Sequence, residues 1–508
     1  MSKDERRSDD LENYRSLREP MVATGEWWIP GAHDRRVPGT FSFDPGADVS
    51  ELALLGSFQK DAAQALGPSP PDAPPTINGL LFGGTLATVG RAVDLGTSFG
   101  GSRQARDRYH ANLVLLGVHA SDPYAVPITK CYVRFRDVER WMDLRAYSDE
   151  IKLLGKEPIE RVLRRPWKRP ALFEADLPRL GAAMRIEQCH TESFIMRSEV
   201  SARASVVFTL TYKSPTTVTP VLEAVHTLRL ALFLLIGHPV PLDDVTVRVP
   251  EGDETGLVHV LFLSVDPVGA AYKKLDAHGA TTNGAANAAA CHSALVRFFD
   301  ERAQMEPILE TLLTAERTDA GRQRLLLHAQ AVEVLHRTYF DRPRLPAAEY
   351  RRLRKQMLAA LPGDVDRGVC EHLTRHLGHG NQMTLRERIV DLRDRLDPRL
   401  QVALGLEDER ALEFARSMAD TRNFLTHLSR RGRYALDGIE LAHCSDLGRA
   451  LTIVHLLLRL GFAPDAILEQ LPKARVTEWV TARVRARRRL EKRSAGTAPE
   501  PSTSAPSE

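Results

Sequence analysis

Arg422, Asn423 and His427 stand together in the run Arg422-Asn423-Phe424-Leu425-Thr426-His427. Histidine titrates near neutral pH and can give or take a proton. Arginine stays charged and forks onto phosphate oxygens, and an asparagine amide can orient an imidazole or a phosphate oxygen. That set fits metal-independent cleavage of RNA. Such cleavage needs a base for the 2′-hydroxyl, an acid for the leaving 5′-oxygen and a cation for the charge that develops on the phosphorane. It calls for no cofactor. One run supplies one histidine, so a homodimer that brings two copies together would complete the site.

The run must be positioned by a helix. Over residues 407–429 the apolar residues recur with helical period. At about 100° per residue, Phe414, Met418, Thr421, Leu425 and Leu428 form a core stripe. Asp420, Asn423 and His427 cluster on the other side, with Asn423 and His427 four apart and therefore neighbours. Arg422 lies on the flank, and the helix geometry adds Asp420 to the candidate catalytic set. The plain alternative is a solvated helix face. Against it, His427 is off the apolar stripe, and Asn423, a mediocre helix former, directly follows the arginine.

Around this helix the chain has 508 residues, enough for several domains, with 43% hydrophobic residues and a net charge of only +3. Nucleic-acid binding would therefore need local patches. The run from Arg483 to Arg493 is one, and Arg483, Arg485, Arg487, Arg488 and Arg489 are its candidate RNA-binding residues. The cysteines are scattered without a C-x-x-C pair, which points to a reducing compartment rather than disulfides or a thiolate zinc site. The N-terminus has no signal-peptide core, and the most apolar run, Leu228 to Ile236, is short for a membrane span. A cytoplasmic protein with no membrane partner is expected.

The texture predicts an α+β multidomain chain: a β-rich half followed by an all-α half. The boundaries are a charged leader at 1–20, a β-rich domain at 21–276, a linker at 277–290, a helical domain at 291–480, and a basic helix end with a disordered tail at 481–508. Strands are expected at Thr40–Phe43, Glu51–Phe58, Ile77–Phe82, Ala111–Val118, Ile128–Phe135, Ser205–Tyr212, Asp244–Val249 and Leu257–Val265, with an apolar helix at Pro220–Ile236. Helices are expected near 291–316, 321–340, 346–360, 366–378, 384–396, 407–429, 445–460 and 464–490.

Other signals compete. Gly96-Thr97-Ser98-Phe99-Gly100 has the G-x-S-x-G spacing of a nucleophile elbow, which would need a strand before it and a helix after it. His372, His376 and His379 have helical spacing that could hold a metal, although no H-E-x-x-H is present. Trp27 and Trp28 could stack bases, but a place in the β-domain core or rim suits them better.

The motif and its setting resemble a known family. Thr421 to His427 resembles the R-x4–6-H motif of HEPN ribonuclease domains. The stretches Ala331 to Arg337, Leu385 to Ile389 and Leu456 to Phe462 resemble the HEPN domain of ApeA-type abortive-infection proteins. Gly25 to Pro30, Val37 to Phe41, Leu52 to Gly56, Ile77 to Gly79 and Val133 to Trp141 resemble the ApeA N-terminal domain. The resemblance implies a HEPN helical bundle that dimerises. It also implies a metal-independent endoribonuclease that leaves a 2′,3′-cyclic phosphate and a 5′-hydroxyl, with Arg422, Asn423 and His427 as catalytic residues. It implies a toxin of anti-phage defence whose partners are RNA, with transfer RNA the first candidate, and a phage-derived trigger on the N-terminal domain. A HEPN-fold binding or scaffold protein that no longer cuts RNA is the alternative.

Overall fold

The computed structural model describes residues 15–58, 76–99, 105–144, 148–154, 157–164, 171–195, 199–251, 254–263, 279–427, 432–474, 477 and 480. The chain separates into two compact units, one of residues 1–232, 239–277 and 283–300, the other of 233–238, 278–282 and 301–508. The leader up to residue 14, Leu428, and the stretch beyond residue 480, including Arg483, Arg485, Arg487, Arg488 and Arg489, lie outside the described residues.

The first unit is built on antiparallel pairing. Its strands are β1 (Met21–Trp28), β2 (Val37–Asp44), β3 (Val49–Leu54), β4 (Thr76–Leu81), β5 (Leu86–Gly90), β6 (Val93–Phe99), β7 (Ala105–His110) and β8 (Leu113–Leu116), followed by β9 (Ile128–Phe135), β10 (Ser148–Leu154), β11 (Glu157–Arg164), β12 (Ala171–Leu177), β13 (Ala182–Ile195), β14 (Glu199–Thr216), β15 (Leu242–Glu251) and β16 (Glu254–Leu261). Fourteen of them form one sheet in the order β12-β13-β14-β9-β15-β16-β8-β5-β4-β1-β2-β3-β7-β6, while β10 and β11 make a separate hairpin. A one-turn helix, α1 (Val138–Trp141), and a long one, α2 (Val218–Ile236), interrupt the strands. Helix α2 is long and apolar enough to cross a membrane, and most of it is buried inside the protein.

The expected alternation is real. Phe41 and Phe43 are buried while Thr40 and Ser42 are half-exposed, the pattern of a strand with one face on the core. Ser205–Tyr212 is the centre of the much longer β14. Glu51–Phe58 shortens to β3, and Ala111–Val118 to β8. The Gly-x-Ser run gives no nucleophile elbow. Gly96 to Phe99 lies inside β6, which pairs antiparallel with β7, and Gly96 sits at φ 104° in a bulge where its N–H binds the Asp94 carboxylate at 2.7 Å. Trp27 and Trp28 are fully buried and so are not base-stacking platforms.

The helices of the second half are α3 (Ala288–Glu316), α4 (Gly321–Tyr339), α5 (Ala347–Ala359), α6 (Arg367–His379), α7 (Leu385–Asp394), α8 (Pro398–Leu404), α9 (Asp408–His427), α10 (Gly438–Arg459) and α11 (Pro464–Gln470). Two expectations fail for local reasons. Among the described residues the helix expected at 464–490 is interrupted after Gln470, because Pro472 has no N–H to continue the ladder and its ring disfavours the turn before it; Val480 is helical, and residues 481–490 lie outside the described residues. The one expected from 445 begins at Gly438, since Leu441 and Cys444 already belong to its buried stripe. Helix α8 has no counterpart among the expected helices, yet its signals are complete: the Asp397 carboxylate caps the Arg399 N–H, Pro398 opens the helix and Gly405 closes it in the left-handed region.

The second half packs α4 against α10 and α9, and α9 in turn against α7 and α10. Gly448 of α10 marks a close approach: a Cβ there would stand 2.4 Å from Cε of Met418 on α9. In the sheet, Gly79 plays the same part. It pairs with Trp27, and a Cβ on it would lie 2.3 Å from that buried indole. The ring is fully buried, so relief would need the surrounding core to shift. Gly79→Ala should destabilise the protein by about 1–3 kcal/mol in urea unfolding, whereas Gly83→Ala, whose Cβ meets nothing within 4 Å, should change it by less than about 0.5 kcal/mol. Equal effects of the two would show that the Trp27 packing is not constraining.

Candidate functional site

Helix α9 places the motif as its periodicity demands. Phe414, Met418 and Thr421 are buried, and Leu425 is half-buried. Asn423 and His427 are exposed, and Arg422 and Asp420 are partly exposed. The structure thus brings Arg422, Asn423 and His427 onto the solvent-facing last turns of one helix. Arg422 donates from Nη1 to Asn423 Oδ1 at 3.1 Å, so the amide already holds the guanidinium. On the other side, Arg422 Nη2 stands 3.9 Å from Glu333 Oε2 of α4, while Glu333 also pairs with Arg337 at 2.8 Å. Glu333 lies in the Ala331–Arg337 stretch that carries the resemblance, but its approach to Arg422 depends on how α4 and α9 pack and has no sequence signature.

Thr421 is the structural member of the run. Its hydroxyl donates to the Ser417 carbonyl at 2.6 Å and accepts the Leu436 N–H at 2.9 Å. This bond pins the chain that returns after the motif. The returning backbone comes so close at Gly432 that a side chain there would meet the Asp420 carboxylate at 3.2 Å. Asp420 therefore faces the returning chain.

Beneath α9, a polar network joins α4 to α7. Arg388 is 1% exposed and makes three donor contacts: to the Met383 carbonyl at 3.0 Å, to Asp341 at 2.9 Å and to His336 Nδ1 at 2.8 Å. An arginine can only donate, so Nδ1 of His336 accepts, and Nε2–H donates to Asp391 at 3.0 Å. The imidazole is neutral, and its tautomer follows from its neighbours. Burial lowers the His336 pKa, Asp391 opposes that, and Arg388 adds to it. Burial also pushes the Asp391 carboxyl up, but hydrogen bonds from Arg395, Arg342 and His336 prevail and hold it below the usual carboxylate value. His455 of α10 joins by binding the Leu392 carbonyl at 3.0 Å and lying edge-on to Phe340.

The imidazoles of His372 and His376 on α6 lie 4.3 Å apart between ring centres. Among the described residues, no third ligand closes around that pair.

The family comparisons cover both halves. Residues 326–466, which include α9 and the motif, match the family model described as Apea-like HEPN. Residues 23–278, about half of the chain, match ApeA N-terminal domain 1. The fold is thus an antiparallel β-sheet N-terminal region followed by a HEPN helical region. The chain belongs to the ApeA family. No curated protein and no solved structure matches it.

Two measurements test the packing below the site. Arg388→Met should cost about 3–5 kcal/mol in denaturant unfolding, because it strands His336 and Asp341 without their donor, whereas Asp341→Asn, at a half-exposed position, should cost far less. The second is pH dependence. Burial pushes His328 down to about 3, with Arg449 adding to it, and pushes His455 down to about 4. The folded protein keeps both neutral, while the unfolded chain binds protons below about pH 6.5. Stability should therefore fall with acidification from about pH 6.5 down to about 4 for His455 and about 3 for His328, by about 2 kcal/mol per histidine at pH 5. Unfolding midpoints that are equal at pH 7 and pH 5 would contradict this.

Proposed function

We propose that this protein is a metal-independent HEPN endoribonuclease of anti-phage abortive infection, acting on RNA with transfer RNA as the first candidate substrate. The observation that carries the reading is the arrangement on α9. An exposed imidazole lies one turn from an Arg–Asn pair joined by a hydrogen bond, inside a region that matches Apea-like HEPN.

In this reading His427 takes the proton from a ribose 2′-hydroxyl, and the 2′-oxygen attacks the adjacent phosphorus. The bond from phosphorus to the 5′-oxygen breaks, and the leaving oxygen takes a proton from His427 of a second copy. The products are a 2′,3′-cyclic phosphate and a 5′-hydroxyl, with no net gain or loss of protons. Arg422 neutralises the non-bridging oxygens, and Asn423 fixes the guanidinium. Asp420 is retained as a candidate that tunes the approach of the returning chain rather than one that touches substrate. The run of arginines from Arg483 to Arg489 remains a candidate RNA-holding patch. The N-terminal sheet domain would receive the infection trigger.

Purified protein incubated with total RNA in EDTA should cleave it, and His427→Ala should lower the rate by about 10²–10⁴-fold. Specific activity should rise with protein concentration as dimers form. Equal RNA integrity with both proteins would favour the scaffold alternative. Cleavage that requires magnesium and survives the loss of His427 would overturn the mechanism.

A further inference from the structure

Helices α5 and α6 form a hairpin unlike the rest of the helical half. Neither contains a single buried residue. They pack chiefly on each other through a half-buried seam that includes Leu353, Leu373 and Leu377. Arg354 Nη2 donates to the Thr374 carbonyl at 3.1 Å, and the Tyr350 hydroxyl donates to the Leu377 carbonyl. At the base, Asn381 and Leu345 exchange two hydrogen bonds of 2.9 Å, and Arg344 pairs with Glu387 of α7. The hairpin is well tied internally and anchored at its root, yet it contributes nothing to the core. Core packing therefore does not account for its composition.

That composition is cationic. Helix α5 carries Arg351, Arg352, Arg354 and Lys355 against Glu349. Helix α6 carries Arg367 and Arg375 against Glu371, and adds His372, His376 and His379. Arg354, Arg367 and Arg375 line one open groove of about 510 Å³, with Cys370, Thr374 and Glu371. Glu371 is the groove's single carboxylate, and its 3.0 Å pair with Arg367 is between side chains 60% and 92% exposed, a pairing that water and salt weaken. Asp364 and Asp366 in the turn bring the carboxylates of residues 347–379 to four against six Lys and Arg, so the cationic excess is carried by the two helices and the groove between them rather than by the turn. Guanidiniums along a groove match the spacing-tolerant, multiply charged backbone of a nucleic acid.

We propose that the α5–α6 hairpin is an arm that docks the phosphate backbone of RNA. The inference rests on the reading of this chain as acting on RNA and assigns that substrate a holding surface separate from the α9 motif.

The test measures binding without cleavage. The full chain carrying His427→Ala is titrated against a fluorescein-labelled single-stranded RNA of mixed sequence, and anisotropy is followed over a range of salt. Substituting Arg351, Arg352, Lys355, Arg367 and Arg375 by Gln, all exposed positions, should weaken binding at least about tenfold near physiological salt. It should also flatten the dependence of log affinity on log salt by about 0.7 for each phosphate that is no longer neutralised. Should that variant lose its thermal transition, the pair Lys355→Gln and Arg375→Gln should still weaken binding about threefold. Affinity within twofold of the parent in a folded variant overturns the proposal. So does displacement of the RNA by poly-glutamate at equal charge, which would make an acidic polypeptide the occupant, or a parent that binds no RNA. A wild-type chain that fails to cut RNA while the hairpin effect persists would overturn the nuclease reading and leave the arm standing.

Discussion

The buried guanidinium of Arg388 is the constraint on which the helical half depends. A charge taken out of water is tolerated only when its donors are met, and here they are met by groups from three places: His336 on α4, Asp341 just beyond that helix, and the Met383 carbonyl before α7. These bonds fix α7 against α4. Helix α9 packs on both, so the position of Arg422 beside Glu333 follows from a bond network that never touches the motif. His336 passes the constraint on to Asp391, which also takes Arg342 and Arg395. The network is polar and directional, with Arg388 and His336 fully buried at its centre, and it specifies one arrangement where an apolar interface would accept several.

Around that frame the motif divides its labour. Thr421 faces inward and holds the returning chain, Phe414 and Met418 fill the interface, and Arg422, Asn423 and His427 are left at the surface. An exposed single imidazole is an incomplete acid–base device. The proposed second copy would supply the missing proton donor, and on that proposal activity would depend on assembly.

The periodicity of residues 407–429 is enough to separate the inward from the outward residues of α9, because a helix stripe is a local property. The strand alternation at Thr40–Phe43 is legible for the same reason. Interactions between elements are not legible in this way. Glu333 and Arg422 are far apart in the chain, as are His336, Arg388 and Asp391, and no spacing rule links them. Some local signals are easily passed over: Pro472 stops the last described helix, Asp397-Pro398 opens α8, and the φ of Gly96 turns a nucleophile-elbow pattern into a bulged hairpin strand. In sequence the cationic hairpin is only two helices with three histidines. Its significance lies in having no buried residue, which only the packing shows.

The central claim is chemical, and the ends of the RNA fragments decide it. RNA from cells expressing the protein, and from cells expressing His427→Ala, would be sequenced from its 5′ ends with and without prior phosphorylation by a polynucleotide kinase. Attack by the 2′-oxygen predicts new 5′ ends that can be ligated only after phosphorylation, matched by 2′,3′-cyclic phosphates, and absent with His427→Ala. New ends that already carry a 5′-phosphate, or identical end profiles for the two proteins, would contradict it.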